Sequence, residues 1–109
     1  VEMPISGTST QIAKAEGVGL IGGEAEDIDA LDAILAVVCP KRFRLGPVGA
    51  GAKAKLAVNL VLGLNRAAMA EGIAFADTLG LDTKAFLEVA RNSAAYSQVM
   101  DTKGRKRVE

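Results

Sequence analysis

The spacing of apolar residues changes character along this chain, and each change predicts a different element. Residues 1–6 form a short extended run, and residues 7–16 are small and polar, a loop with a helical turn. Residues 18–21 are apolar and stop at Gly22-Gly23, the pattern of a buried strand followed by a turn. From Glu24 to Val38 the period becomes helical, with Ile28, Leu31, Ile34, Leu35 and Val38 on one face. Glu24, Glu26 and Asp27 suit the positive end of that helix, and Pro40 ends it. Residues 41–45 alternate around Phe43 as a third strand. Strands alternating with a helix predict a mostly parallel sheet.

After Leu45 the pattern turns wholly helical. Gly46-Pro47-Val48-Gly49-Ala50-Gly51 reads as a hinge, followed by one long helix over residues 52–79 with Gly63 and Gly72 as its weak points. Gly80 suits the left-handed position past a helix end, and Asp82 or Thr83 caps a second helix running to about Arg91, with Phe86, Val89 and Ala90 inward. Asn92-Ser93 breaks it, and a third helix starts near Ser97. The prediction is an α/β chain that is predominantly helical, with α/β character over residues 1–46 and an all-helical part over residues 47–109.

Composition narrows the chemistry. The chain has 109 residues, 50% hydrophobic and 24% charged, which is enough for a small globular domain. Its formal net charge of zero gives no field for nucleic acid, and the basic stretch Lys103-Gly104-Arg105-Lys106-Arg107 reads as a solvated helix face. The longest apolar run, residues 56–64, is broken by Asn59 and too short for a bilayer, so no membrane partner is expected. Cys39 is the single cysteine, so no internal disulfide forms; a core thiol in a reducing compartment is expected, the cytoplasm or, in a eukaryote, an organelle matrix. Histidine is absent, which removes serine–histidine and cysteine–histidine catalysis and leaves no metal site to expect. Acid–base work falls to Lys, Asp, Glu, Tyr or Cys. The chain opens inside a strand and closes in a helix without a terminator, and reads as part of a longer protein.

Three constellations can carry chemistry. Lys55 and Asn59 stand four residues apart, on one helix face, among Leu56, Ala57, Val58 and Leu60. A lysine drawn out of water gives up its proton more readily and then serves as a base toward a hydroxyl, with the amide holding the oxygen beside it. A snorkelling lysine with a solvent-facing amide fits the same spacing. The second is Pro4-Ile5-Ser6-Gly7-Thr8-Ser9, a glycine flanked by hydroxyls after a strand, which suits a carboxylate or serves as a plain turn. The third, Gly49-x-Gly51-x-x-Ala54, imitates a dinucleotide fingerprint, but the helix behind it runs to about twice the usual length and no second strand follows. These glycines are expected to let the chain leave the sheet and the helix pack closely. Ser93, Tyr96 and Ser97 form a lesser hydroxyl cluster, a helix break that can also line a pocket.

Taken in order, these stretches resemble the β-hydroxyacid dehydrogenase family, which includes 3-hydroxyisobutyrate dehydrogenase, tartronate semialdehyde reductase and the glyoxylate/succinic semialdehyde reductases, with 6-phosphogluconate dehydrogenase more distant. The family's Pro-Val-Ser-Gly-Gly loop stands here as Pro4-Ile5-Ser6-Gly7-Thr8, and its Gly-x-Gly followed by Lys and Asn as Gly49-Ala50-Gly51-Ala52-Lys53-Ala54-Lys55-Leu56-Ala57-Val58-Asn59. Ala70-Glu71-Gly72 and Leu79-Gly80-Leu81-Asp82 continue the likeness. The resemblance implies the last strands of a Rossmann-type sheet, then a long helix and the start of an all-helical domain. It implies Lys55 as proton donor and acceptor, Asn59 as its positioning partner, and Ser6, Gly7 and Thr8 as the substrate-carboxylate loop. It further implies NAD or NADP in the longer protein, none bound by this stretch alone, a small carboxylate-bearing substrate and a homo-oligomer built through the long helix. Thr8 in place of glycine, Val58 in place of asparagine, and the missing Gly-rich cofactor fingerprint depart from the family pattern. A non-catalytic helical interaction piece is the competing reading.

Overall fold

The structure, a computed structural model, describes residues 1–109. In chain order the elements are β1 (Ile5–Ser6), α1 (Ser9–Ala13), β2 (Val18–Gly22), α2 (Ala25–Val38), β3 (Lys41–Gly46), α3 (Ala50–Thr78), α4 (Thr83–Arg91), α5 (Val99–Thr102) and α6 (Gly104–Val108). The expected class is the observed one: α/β, dominated by helix, with one small sheet leading into a long helix and shorter helices. By internal contacts the chain divides within α3, into Val1–Asn59 and Leu60–Glu109.

In the first unit the strand order is β1-β2-β3. β2 runs parallel to β3, with Leu20 opposite Phe43, but β1 runs antiparallel to β2, with Ile5 opposite Gly19. The mostly parallel sheet expected from the sequence is therefore mixed. The extended run 1–6 is also shorter as a strand than its pattern suggests. Pro4 has no amide to donate, so its carbonyl alone joins the ladder, accepting from Leu20 N–H at 2.9 Å, and Glu2 pairs with Gly22 as an isolated bridge.

β2 is the centre of this unit: Leu20 and Ile21 are buried, with Ile28 and the free thiol of Cys39, as expected of a core cysteine. Arg42 and Arg44 of β3 pair with Asp32 and Asp29 of α2. The expected inward face of α2 is only partly covered. Ile28 is buried and Leu35 half-buried, while Leu31, Ile34 and Val38 remain exposed, because the short three-stranded sheet is narrower than the helix's apolar stripe.

The second unit is helical. Met69, Ile73 and Ala76 of α3 recur at helical spacing and are buried; Met69 and Ile73 join Leu87, Ala90, Val99 and Met100 in one cluster. α3 ends as expected, with Gly80 at φ +82° and Leu81 N–H bonded to the Ala76 carbonyl at 3.0 Å. Asp82, not Thr83, caps α4, its carboxylate accepting from Lys84 N–H at 3.1 Å. On α4, Ala90 is buried and Phe86 half-buried as expected, but Val89 is exposed and Leu87 takes its place. The third helix starts at Val99, slightly past Ser97, and is one short turn.

Candidate functional site

α3 enters the first unit through a close approach. Gly49, at φ +101°, turns the chain into the helix. Gly51 is buried, and a methyl there would collide with the carbonyl oxygen of Leu20 in β2. One at Gly22 would lie 2.8 Å from the Pro47 carbonyl oxygen and 3.0 Å from the Gly51 nitrogen. The glycines of this turn thus serve packing, as the length of the helix behind them suggested. The amide of Ala52 points at Oε1 of Glu2, 2.9 Å away, so a carboxylate of the protein itself takes the helix N-terminus where a phosphate would otherwise sit.

With its first turn held in this way, α3 turns Gly51, Ala54, Lys55 and Val58 inward at helical spacing. Lys55 is half-buried, and its Nζ donates to the carbonyl oxygen of Ile5 at 2.8 Å. The lysine therefore reaches across fifty positions of sequence to the residue just before Ser6. Asn59 lies one turn on along the continuous helix and is exposed. Of the predicted residues, the structure brings Lys55 to the start of the Ser6-Gly7-Thr8 loop.

Within that loop the groups differ in what they have left to offer. The Thr8 amide donates to Oε1 of Gln11 at 2.9 Å, and its hydroxyl accepts from Gln11 N–H at 3.2 Å, a reciprocal cap on α1. Ser6 is half-buried at the end of β1, and Gly7 is exposed in the bend that follows. Neither the Ser6 hydroxyl nor the Gly7 amide is engaged in this cap. Sequence reading passed over Gln11 and Glu2. The Thr-x-x-Gln spacing of a capping box was there to be read; the fifty-residue contact of Glu2 with Ala52 leaves no local signal.

The second unit holds a concavity of about 410 Å³ lined chiefly by Met69, Ile73, Phe86 and Leu87, with Asn65, Tyr96 and Ser97 as polar groups. None of Lys55, Asn59, Ser6, Gly7 and Thr8 lines it, and Tyr96 is the one titratable side chain in its lining. Beside it Tyr96 donates to Asp101 at 2.5 Å, and Arg91 bonds Asp101 at 2.7 Å and Glu88 at 2.9 Å. The hydrogen bond from Tyr96, then that from Arg91, lowers the Asp101 carboxyl below its ordinary range. The same carboxylate, through its hydrogen bond, raises the Tyr96 hydroxyl and the Arg91 guanidinium. The predicted lysine and this concavity thus fall in different units.

A long helix thus leaves a small mixed sheet, with an inward lysine in its second turn beside the first strand. Residues 49–109 match the family described as NAD-binding of NADP-dependent 3-hydroxyisobutyrate dehydrogenase, and the chain belongs to that family. Among relatives, it is 31% identical over 104 residues to glyoxylate/succinic semialdehyde reductase 2, chloroplastic, of Arabidopsis thaliana, an alignment covering 95% of this chain and 29% of that protein. Among solved structures, 3-hydroxyisobutyrate dehydrogenase from Salmonella typhimurium matches with a TM-score of 0.84 at 25% identity, over 97% of this chain and 38% of that one. Mycobacterium tuberculosis 3-hydroxyisobutyrate dehydrogenase, solved with L-serine, matches with a TM-score of 0.79 at 27% identity, over 88% and 33%. The chain spans about a third of the length of the curated relatives it matches. No helix is long and apolar enough to cross a membrane.

Proposed function

We propose that this chain carries the proton-transferring lysine and the carboxylate loop of an NAD- or NADP-dependent oxidoreductase that interconverts a small 3-hydroxyacid and its carbonyl partner. The observation that carries the reading is the 2.8 Å bond from Lys55 Nζ to the Ile5 carbonyl, which sets the amine beside Ser6. In this reading the Ser6 hydroxyl and the Gly7 amide hold the substrate carboxylate, with Thr8 shaping the loop's far side. Lys55 takes the proton from the substrate hydroxyl on oxidation and returns it on reduction. An ammonium has three donors, so the bond to Ile5 leaves others for a substrate oxygen. Asn59, one turn along, orients that oxygen. Hydride acceptance is the part a nicotinamide supplies when bound. The glycine turn at the start of α3 does not fit the cofactor's phosphates, because Glu2 occupies the Ala52 amide; we assign no cofactor contact to it, and none to this stretch alone.

The functional boundary is proposed at residues 46–47, where strand gives way to helix, although contacts divide the chain further along, after Asn59. A reducing compartment, the cytoplasm or an organelle matrix, suits the single free cysteine. The test is Lys55→Ala in the active protein. Turnover should fall by about 10²–10⁴ while cofactor affinity holds. Turnover like that of the wild type removes the assignment.

One observation favours a second reading, a helical piece that assembles without chemistry. Leu60, Val61 and Leu64 of α3 are 64%, 55% and 60% exposed, on adjoining positions of one helix face. Light scattering at micromolar concentration should find a dimer or larger assembly; a monomer counts against self-association through this helix. Turnover lost with Lys55 separates the catalytic reading from the purely structural one.

A further inference from the structure

We propose that Glu2 is the positioning residue for Lys55: its carboxylate fastens the first turn of α3 to the sheet and so sets where the amine can reach. The inference rests on the function proposed above.

Glu2 is itself held by the main chain. Its N–H donates to the Gly22 carbonyl at 2.8 Å, and Gly22 N–H donates back to the Glu2 carbonyl at 3.1 Å. From this fixed backbone the side chain accepts from Ala52 N–H at 2.9 Å. α3 begins at Ala50, so that amide is one of the few in the helix with no carbonyl a turn earlier inside the helix to bond. A carboxylate is the favoured partner there, by hydrogen bond and by the helix dipole together.

The slot that admits the carboxylate depends on two glycines far apart in sequence. A methyl at Gly51 would lie 2.8 Å from Glu2 Oε1, and one at Gly22 would lie 2.9 Å from it. Either would expel the carboxylate from its place. The extended segment from Glu2 to Ile5 therefore grips α3 at two points, Glu2 on the Ala52 amide and the Ile5 carbonyl on Lys55 Nζ. The second grip belongs to the group that must move a proton. The first is the one that can stay fixed while it does so, and it lies three residues from the lysine on a rigid helix. Proton transfer depends steeply on such placement.

The experiment is competitive labelling of the folded protein with acetic anhydride, read residue by residue, with exposed Lys53 on the same helix as the internal reference. Glu2→Ala should raise labelling of Lys55 relative to Lys53 by about fivefold, and Glu2→Gln, which keeps an acceptor oxygen in place, should stay within about twofold of wild type. Where turnover is measured, Glu2→Ala should lower kcat, counted per folded molecule, by about tenfold with KM unchanged, and Glu2→Gln should restore it, a rescue that a general loss of stability would not give. Should Glu2→Ala fail to fold, Glu2→Asp, which keeps the charge but withdraws the oxygen by one methylene, must release Lys55 in the same way. A folded Glu2→Ala or Glu2→Asp protein with an unchanged labelling ratio overturns the proposal, and so does Glu2→Gln behaving like Glu2→Ala. The labelling arm needs no turnover. An active Lys55→Ala would therefore fail the functional reading without deciding the role of Glu2.

Discussion

A methyl group added at Gly51 would strike the Leu20 carbonyl oxygen, whereas one added at Gly63, further along the same helix, would meet nothing within 4 Å. Both glycines carry the same cost in helix propensity, yet one is a junction and the other a neutral interruption. The start of α3 is held at van der Waals limits by β2, Pro4 and Glu2, and the amine of Lys55 leaves the helix one turn further on. Beyond Asn59 the same helix first exposes Leu60, Val61 and Leu64 and then buries Met69, Ile73 and Ala76. Within α3, then, the closest backbone approach is at the helix start, and the later turns rely on ordinary apolar burial.

Four substitutions and one titration sharpen or break that contrast. Gly51→Ala should cost about 3 kcal/mol, because the collision with backbone outweighs the roughly 1 kcal/mol that alanine gains in a helix. Denaturant unfolding followed by circular dichroism checks it, and a variant as stable as wild type would remove the junction. Leu87→Ala, in the core of the second unit, should cost about 2 kcal/mol, the low end for such a change, since Leu87 already borders a concavity and has fewer neighbours to lose. Asp82→Ala should cost about 1 kcal/mol through loss of the α4 cap. Gly63→Ala should do the reverse and raise stability by about 0.5–1 kcal/mol, unless Gly63 faces a partner in an assembly, in which case the assembly and not the monomer will weaken.

The smallest effect is expected from the exposed network at Asp101. With its carboxyl lowered from 3.8, Asp101 contributes stability that is present above that value and is lost as pH falls through the lowered one. Tyr96, raised from 10.0, contributes below that value and loses its share as pH rises through the raised one. Asp101→Asn should therefore flatten the melting temperature at both extremes of pH and change little at neutrality; an unchanged acid limb would dismiss the network as a contributor.

Much of this was legible in the chain. Helical spacing located α2, α3 and α4, Gly80 marked the end of α3, and the cap of its successor was narrowed to Asp82 or Thr83, since each depends on neighbours within a turn. The two motifs pointed to the family that the comparisons show. Less was legible where a partner surface decides. The α2 stripe does not reveal that only Ile28 is fully buried, and the period of α4 put Val89 inside where the structure buries Leu87.

The sequence by itself determined the order of elements and the family, because local spacing and short motifs carry them. Tertiary structure alone decided that β1 runs antiparallel, that Lys55 meets the Ile5 carbonyl, and that Glu2 takes the α3 terminus. The last two contacts join residues fifty positions apart, and nothing in local propensity records which distant backbone atom a side chain will find once the glycines let helix and strand close together.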